Sequence, residues 1–309
     1  MKAKGLFAIL MAVSSCTYYV DIKTDGADNH IRMVSYPGIS DTTFASVSLV
    51  GSASSAPRKN QECSAEVTFT VNDKSYAMAS VPGTVGRYWS TAEVKAGDCV
   101  KISAAVDGCG TVVASSSVPL DTAVFEPRIY RRPNDVTGLD VVIWDDKPGN
   151  NWYAVNVEEK RVHIIDMKAS GYYKETETLS QLELEPVREE RGAVSSGIFD
   201  GFMQMTVDGT EMFLFPDDLS GNLQFKFRAS WDSNYYDGEN ITRYYYKVHV
   251  YSLSREMYDY FKAQYKMNNS DSIIYGLASA SYAAGNVVGG AGVVGCCLGA
   301  ESAWLPNVW

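Results

Sequence analysis

The first residues in the chain whose type and spacing allow chemistry are Val13-Ser14-Ser15-Cys16. A signal peptidase that processes lipid-modified cysteines needs an aliphatic residue three positions before the cysteine and small residues directly before it. Both are present, and two lysines and a short apolar run at residues 6–13 precede them. That run is far shorter than the roughly 20 residues that span a bilayer as a helix. We therefore predict a signal peptide at residues 1–15 and fatty acids on Cys16 that anchor the chain to a membrane.

Five further cysteines could form disulfides, because an exported chain lies in an oxidising compartment. Their number is odd, so at least one thiol stays free or pairs between molecules. If strands at residues 65–71 and 100–106 are antiparallel neighbours, the start of the first lies beside the end of the second, where Cys63 meets Cys109. We predict a disulfide between these two cysteines, with Cys63 to Cys99 as the alternative pair.

Two patterns resemble ligand-binding loops but lack features that such sites need. Residues 290–295 have the letters G-x-G-x-x-G of a dinucleotide site, yet no convincing helix follows them. Residues 232–239 resemble a calcium loop, but Gly238 is seventh where an EF-hand has glycine sixth, and Arg243 replaces the twelfth-position glutamate. We interpret the first as a closing strand and the second as a hairpin turn. The adjacent pair Cys296-Cys297 does not suit a zinc site either.

No catalytic motif is present in the sequence. His30, His163 and His249 are far apart, none belongs to an H-E-x-x-H motif, and there is no G-x-S-x-G turn. His163 and His249 fall in strand-like runs, which is typical of packed or exposed strand histidines. The abundant carboxylates could include a glycosidase-type acid pair, but no pattern supports one. We expect a non-enzymatic protein without a cofactor or a bound metal.

Composition excludes one class of partner and bounds the architecture. The formal net charge of -10 disfavours nucleic-acid binding, which needs a clustered positive surface. With 46% hydrophobic and 21% charged residues, the chain can build a real core. Its 309 residues are enough for two domains of ordinary size.

Aromatic residues concentrate around two polar turns, at residues 144–153 and 231–246. Consecutive tyrosines on a strand point to both faces, so we expect some of residues 244–246 to be exposed. Exposed aromatic clusters often mark recognition sites for sugars or proteins, whereas ordinary cross-strand packing is the alternative role. The candidate recognition residues are Trp144, Trp152, Trp231, Tyr235, Tyr236 and Tyr245.

The elements that must position these residues are mainly strands. From about residue 45, short runs of alternating apolar and polar residues are separated by the turn pairs Asn72-Asp73, Pro82-Gly83 and Asp107-Gly108. Roughly seven strands at ~10-residue spacing predict an immunoglobulin-like β-sandwich at residues 45–125. The anchor and a first strand region occupy residues 16–44. Prolines clustered near residues 119–133 mark the end of this domain.

Residues 126–309 are predicted to form a second antiparallel β domain, a barrel or a sandwich, with one α-helix at about residues 254–267. Ser254 can cap this helix, and Met257, Phe261 and Tyr265 form an apolar face at four-residue steps. Residues 174–191 are rich in glutamate without a sustained period, so we interpret them as a surface excursion. The predicted fold class is therefore all-β.

Seven segments stand out by their order and spacing, namely residues 46–49, 64–71, 86–88, 141–146, 151–153, 253–261 and 285–292. Together they resemble a family of Bacteroidota lipoproteins, the domain of unknown function 4249. Most of the mature chain takes part in this resemblance, which is strongest near the end, where a tyrosine-rich helix precedes a terminal strand of asparagine and glycine. The usual phenylalanine-proline stretch before that strand is replaced by Tyr275-Gly276-Leu277-Ala278, and the doubled cysteine is specific to this chain.

The resemblance implies an outer-membrane lipoprotein encoded near TonB-dependent transporters, and it brings no catalytic residues. We therefore expect a binding or accessory subunit of such a transporter, or of another envelope protein, in nutrient uptake. A structural or assembly role in the envelope or in a surface fibre is the alternative. An acidic residue directly after the lipidated cysteine would be an inner-membrane retention signal, but this position is Thr17. We therefore expect a lipid-anchored outer-membrane protein, at the cell surface rather than on the periplasmic face.

Overall fold

The computed structural model describes residues 30–50, 61–131, 136–145, 151–167, 172–190, 193–196, 203–207, 209–217, 223–232, 236–237, 240–268 and 285–307. Cys16 and Tyr235 lie outside these residues. For Trp231 and Tyr236 the structure describes the strand pairing of the backbone and not the side chain.

Nine strands come from the first part of the chain, and alternation explains most of them. In residues 66–71, for example, Val67, Phe69 and Val71 are buried while the residues between them are not. Asn72-Asp73 forms the predicted turn, with Asn72 at φ 52°. The strands are β1 (His30–Ser35), β2 (Thr43–Val50), β3 (Gln61–Glu62), β4 (Glu66–Val71), β5 (Lys74–Ala77), β6 (Ala79–Ser80), β7 (Arg87–Ser90), β8 (Cys99–Val106) and β9 (Gly110–Ser117).

The remaining strands and the single helix of the described residues come from the second part of the chain. They are β10 (Val124–Arg131), β11 (Val136–Asp145), β12 (Trp152–Met167), β13 (Tyr172–Gln181), β14 (Glu185–Glu190), β15 (Ala193–Ser196), β16 (Met203–Val207), β17 (Thr210–Pro216), β18 (Leu223–Asp232), β19 (Tyr236–Asp237), β20 (Asn240–Leu253), α1 (Arg255–Asn268), β21 (Ala291–Val294), β22 (Cys297–Glu301) and β23 (Leu305–Pro306).

Two sheets form a first sandwich around one apolar core. The first sheet has the order β21-β1-β2-β7-β6, with β3 on β2, and the second sheet has the order β5-β4-β8-β9. Core side chains come from both sheets, including Met33 and Val47 of the first and Phe69 and Ile102 of the second. Strand β21 pairs in parallel with β1 although they are far apart in the chain. Both β1 and β21 lie outside the 45–125 range predicted from the sequence.

The glycine-rich residues 290–295 supply that closing strand, as the sequence predicted. Gly292 has φ +105°, and a Cβ atom there would lie 2.0 Å from the carbonyl oxygen of Met33. Only glycine allows β21 to approach β1 so closely. These glycines therefore serve strand packing.

Two further sheets form a second sandwich. The third sheet has the order β10-β11-β18-β14-β15, and the fourth has the order β16-β17-β12-β20-β19, with β13 on β12 and with β22 and β23 on β20. Leu139 and Ile143 of the third sheet share a core with Val155, Phe215 and Tyr246 of the fourth. Neither sheet closes on itself within the described residues. The all-β fold class is confirmed, and of the two predicted forms the second domain is a sandwich.

Residues 174–191 are not the surface excursion expected from their composition. They form most of β13 and all of β14, and β13 pairs with β12 over ten residues from Glu158 to Met167. Residues 174–181 of β13 are largely exposed, which explains why no hydrophobic alternation marks the strand. The backbone pairing with β12, which the sequence does not reveal, holds it in place.

The helix α1 joins the two sandwiches. Its first turn is capped by Ser254, whose Oγ accepts the amide hydrogen of Met257 at 3.4 Å and that of Cys296 at 3.1 Å. The ring of Phe261 lies 5.1 Å from that of Tyr36, which follows β1 in the first sandwich. The predicted apolar face of the helix is therefore buried against both halves of the molecule.

Candidate functional site

A cleft of about 640 Å³ opens between the two sandwiches. We call it the edge cleft. One wall comes from the first sandwich, namely the turn after β1 (residues 38–41 with Thr43) and the segment after β7 (residues 91–94). The other wall is the end strand β22 together with His249 and Tyr251 of β20. Strand β1 runs from His30 toward this cleft, so the cleft lies at the C-terminal end of β1.

Two stacked rings lie on the wall formed by the second sandwich. His249 and Tyr251 are two residues apart on β20, on the outer face of the fourth sheet, with ring centroids 6.5 Å apart and an interplanar angle of 10°. Burial raises the pKa of Tyr251 to about 12, so its hydroxyl stays protonated at neutral pH. Tyr251 is therefore a neutral, flat surface with a hydrogen-bonding group.

His249 is flanked by two carboxylates. Its Nε2 lies 3.7 Å from Oε2 of Glu158, and its Nδ1 lies 3.6 Å from Oε2 of Glu301. Burial lowers the pKa of His249 below its ordinary value, and the two carboxylates oppose that shift. Lys247 Nζ donates a hydrogen bond of 2.6 Å to the other oxygen of Glu301 and thereby lowers the pKa of that carboxyl. His249 is thus a neutral hydrogen-bonding ring at neutral pH, and Glu301 is an anion.

The outer face of the fourth sheet continues beyond the cleft as a cluster of cations and aromatic rings. Lys160 Nζ lies 5.3 Å from the ring centroid of Tyr245 and 4.8 Å from that of Trp304. Lys247 Nζ lies 5.6 Å from the Trp304 centroid. These distances suit cation–π attraction. Tyr245 is half-exposed on this surface, and the lysines there already lie over the rings of Tyr245 and Trp304.

The backbone of β22 is open toward the cleft. Cys297 donates its amide hydrogen to the carbonyl oxygen of Pro37 at 3.0 Å, away from β20, while Ser302 donates to Val248 of β20 at 2.9 Å. Backbone groups alternate in direction along a strand, so those of Gly299 and Glu301 point away from β20, as those of Cys297 do. Among the described residues, none supplies these two with a strand partner on that side.

Gly38 allows the two walls to meet at the closed end of the cleft. Its φ is +91°, and a Cβ atom there would lie 2.0 Å from the carbonyl oxygen of Cys297. A side chain at this position would push the turn away from β22. The two walls of the cleft are therefore in close contact at Gly38 and Cys297.

Carboxylates dominate the charged groups of the edge cleft. Asp41, Glu93 and Glu301 line it, and His249 is the only basic side chain among the lining residues. Glu93 has an exposed ion pair with Lys95 at 3.3 Å, which solvent screens strongly. The cleft therefore favours cationic or hydrogen-bond-donating ligands.

A larger cleft of about 970 Å³ lies on the other side of the junction, but its polar groups bind one another. Ser116 of β9 donates a hydrogen bond of 3.0 Å to Glu256 in the first turn of α1. Trp152 lines this cleft and stacks on Tyr258 with ring centroids 6.1 Å apart. The Ser116–Glu256 bond links the first sandwich to the helix and Trp152 packs on the same helix, so we assign this cleft a structural role.

The three predicted recognition aromatics whose side chains the structure describes, Trp144, Trp152 and Tyr245, do not come together into one site. Trp152 packs on the helix, and Trp144 is half-buried on β11. Tyr245 lies on the outer face near the edge cleft, while its neighbours Tyr244 and Tyr246 face the core, as expected from the alternation of strand residues. The backbones of Trp231 and Tyr236 pair with Thr137 and Ile241, respectively. Recognition roles for these six residues stay predictions.

The predicted neighbourhood of two cysteines is present. Strands β4 and β8 are antiparallel, with Glu66 opposite Ala105, so Cys63 and Cys109 lie at the same end and Cys99 at the other. Burial raises the pKa of the Cys63 thiol, and the nearby Cys109 raises it further. All five cysteines from Cys63 onward are free thiols in the structure, and the disulfide remains a prediction.

The described part of the chain holds neither a metal-binding cluster nor a membrane-spanning helix. No group of three or more histidine, cysteine, aspartate or glutamate side chains there could hold a metal ion. Its one helix is neither long nor apolar enough to cross a membrane.

The geometry of the edge cleft does not assign the chain to a protein family, but comparison with known families does. The family model described as domain of unknown function 4249 matches residues 17–302. The chain belongs to this family. No curated protein matches the chain. The family resemblance seen in the sequence is thus confirmed, and the match includes both sandwiches and both walls of the edge cleft.

Sequence reasoning missed most residues of the edge cleft. Asp41, Glu93 and Glu301 belong to no motif, and His249 was interpreted as an ordinary strand histidine. The one local signal was the alternation at residues 245–251, which places Tyr245, His249 and Tyr251 on one face of a strand. The residues of the opposite wall could not be found that way, because they approach β20 and β22 only through packing of the two sandwiches.

Proposed function

We propose that this protein is a non-enzymatic outer-membrane lipoprotein that works by binding, as an accessory subunit of a TonB-dependent transporter in nutrient uptake. The observation that carries the proposal is the edge cleft. It combines an open strand edge, a neutral histidine–tyrosine pair and three carboxylates, of which Glu93 and Glu301 have lysine partners and Asp41 has none among the described residues, between the two sandwiches. Such a concave site with a few convergent polar groups is typical of binding proteins.

The position of the cleft supports this role. A chain anchored at Cys16 enters the first sandwich at His30, and β1 then carries it about 20 Å toward the cleft. The cleft therefore opens at the end of β1 opposite to His30, where the described chain begins. A partner in the same membrane or a ligand arriving from solution can reach it there. The segment Val13-Ser14-Ser15-Cys16 supports the anchored location.

A structural or assembly role would be favoured by a long, unprotected edge strand. The outer edge of β13 has no partner within the described residues, and the strand is ten residues long. However, Lys174, Glu175 and Glu177 lie along it, and charged side chains on an edge strand discourage pairing with another chain. We therefore keep the binding role as the proposal.

The anchor is tested first. Mass spectrometry of the mature protein from native membranes should find an acylated N-terminal Cys16, and the variant Cys16→Ala should lose membrane attachment. An unmodified N-terminus at another residue would contradict the anchored location.

The partner is tested by affinity purification from native membranes in mild detergent. The wild-type protein should recover a TonB-dependent transporter, and the charge reversals Asp41→Lys and Glu93→Lys in the cleft should reduce that recovery. Asp107→Lys is the matched control, because Asp107 is an exposed acidic residue in the β8–β9 turn, at the far end of β8 from the junction. Recovery of no transporter by the wild type, or equal recovery by all variants, would overturn the proposal.

A further inference from the structure

We propose that the edge cleft binds an extended, basic peptide segment of a partner protein, which adds as a strand to the open edge of β22. The inference rests on the proposed function and states how the partner is held. Strand addition to an exposed sheet edge is a general mode of peptide recognition, in which main-chain hydrogen bonds supply affinity and flanking side chains supply specificity.

The hydrogen-bonding groups for such a strand are already in place. Gly299 and Glu301 present two amide hydrogens and two carbonyl oxygens on the side of β22 that has no strand partner within the described residues, while the neighbouring residues bond to β20. An added strand would lie about 4.8 Å away. The space on that side of β22 belongs to the edge cleft, and its opposite wall at residues 91–94 has no regular secondary structure. A peptide there would thus have main chain on both sides.

The side chains beside the edge favour particular residues in the peptide. A Cβ atom at Gly299 would lie 3.0 Å from the ring of Tyr251, so this ring leans over the glycine. A peptide side chain opposite Gly299 would therefore contact the Tyr251 ring, and a lysine or arginine there would gain cation–π attraction. A basic residue opposite Glu301 would lie beside its carboxylate.

Charge also decides between occupants. Asp41 and Glu93 face the same space as Glu301, so the cleft attracts a basic segment and repels an acidic one. The chain's own tether, residues 17–29, contains three aspartates and one lysine, a net charge of -2, which makes it a poor occupant. A second copy of the protein is disfavoured as well, because each chain carries a formal net charge of -10.

The test uses the purified mature protein and a short capped peptide of alternating lysine and valine, labelled for fluorescence anisotropy. We expect this peptide to bind and a peptide with glutamate in place of lysine not to bind. Asp41→Asn and Glu93→Gln should weaken binding several-fold and reduce its salt dependence, whereas Asp107→Asn should not change it. These variants alter exposed side chains, so the fold should be unaffected.

Strand pairing itself is tested with two N-methylated versions of the peptide. One is methylated at every lysine and the other at every valine, which blocks opposite edges of the extended chain. We expect one isomer to bind like the parent peptide and the other to bind about tenfold or more weakly, since it loses its amide donors. In hydrogen exchange, the amides of Gly299 and Glu301 should become protected when the parent peptide binds.

Several outcomes would overturn the inference. Equal binding of both methylated isomers would exclude strand addition, and equal binding of the acidic peptide would exclude the charge argument. Binding of a neutral dextran oligosaccharide without peptide binding would assign the cleft to sugars. Protection of the Gly299 and Glu301 amides in the free protein, with or without dimerisation, would mean that the chain covers its own edge. Because none of these measurements uses a transporter, their failure leaves the membrane pull-down as a separate test of the proposed function.

Discussion

The packing of Phe261 against Tyr36 predicts that the two sandwiches unfold as one unit. Phe261 is 2% exposed, and its ring lies 5.1 Å from Tyr36 of the first sandwich and 5.9 Å from Tyr260 of its own helix. The change Phe261→Ala removes this ring from a core shared by both halves. Phenylalanine-to-alanine changes in cores cost about 3–5 kcal/mol, and an aromatic pair adds about 0.5–1.5 kcal/mol beyond the buried area.

We therefore expect Phe261→Ala to lower the free energy of unfolding by about 4 kcal/mol, a large part of the total stability of a typical domain. Urea denaturation followed by tryptophan fluorescence and by far-UV circular dichroism measures the change. Lys266→Ala is the control, because Lys266 is exposed in the last turn of the same helix and its loss should cost less than about 0.5 kcal/mol.

Two results would refute this reasoning. A loss below about 1 kcal/mol for Phe261→Ala would mean that the ring is not packed in a shared core. Two separate transitions, of which only one shifts in the variant, would mean that α1 stabilises one sandwich alone. A single transition that shifts as a whole is the expected result.

Two further predictions concern the cysteines and pH. Peptide mapping without reduction should find a disulfide between Cys63 and Cys109. This disulfide would add about 4 kcal/mol of stability in the chain-entropy model. A free Cys63 thiol would contradict the prediction. For His249, burial lowers the folded-state pKa below its value of about 6.5 in the unfolded chain, despite the opposing effects of Glu301 and Glu158. The contribution of His249 to the free energy of unfolding is therefore fully present above about pH 6.5, and it is lost as the pH falls toward the folded-state pKa. His249→Gln should flatten urea-denaturation stability between about pH 5 and 7, and an unchanged slope in that window would exclude the mechanism.

Local patterns in the sequence were enough for most elements. Alternation at residues 66–71 gave β4, and Asn72-Asp73 gave its turn, because side-chain direction and turn chemistry depend on neighbouring residues. The helix was predicted within about a residue from Ser254 and the apolar steps that follow, since capping and helical period are local as well.

Elements held by distant partners were predicted less well. The charged residues 158–161 interrupt the apolar pattern of β12, yet the strand continues to Met167 because β20 and β13 pair along it. Residues 174–191 show no alternation of apolar and polar residues, because strand β13 is largely exposed. Only its backbone pairing with β12 places β13 in the sheet.

The sequence by itself determined the predicted anchor at Cys16, the all-β class, the helix and the family, because each depends on composition, local period or the order of segments along the chain. Only the tertiary structure decided where a partner could bind. The walls of the edge cleft come from residues 38–41, Thr43, residues 91–94, His249, Tyr251 and residues 297–301. These residues are brought together when β21 joins β1 and β22 joins β20. No local pattern predicts those long-range pairings, because alternation along a strand shows which side chains share a face but not which strand is its neighbour.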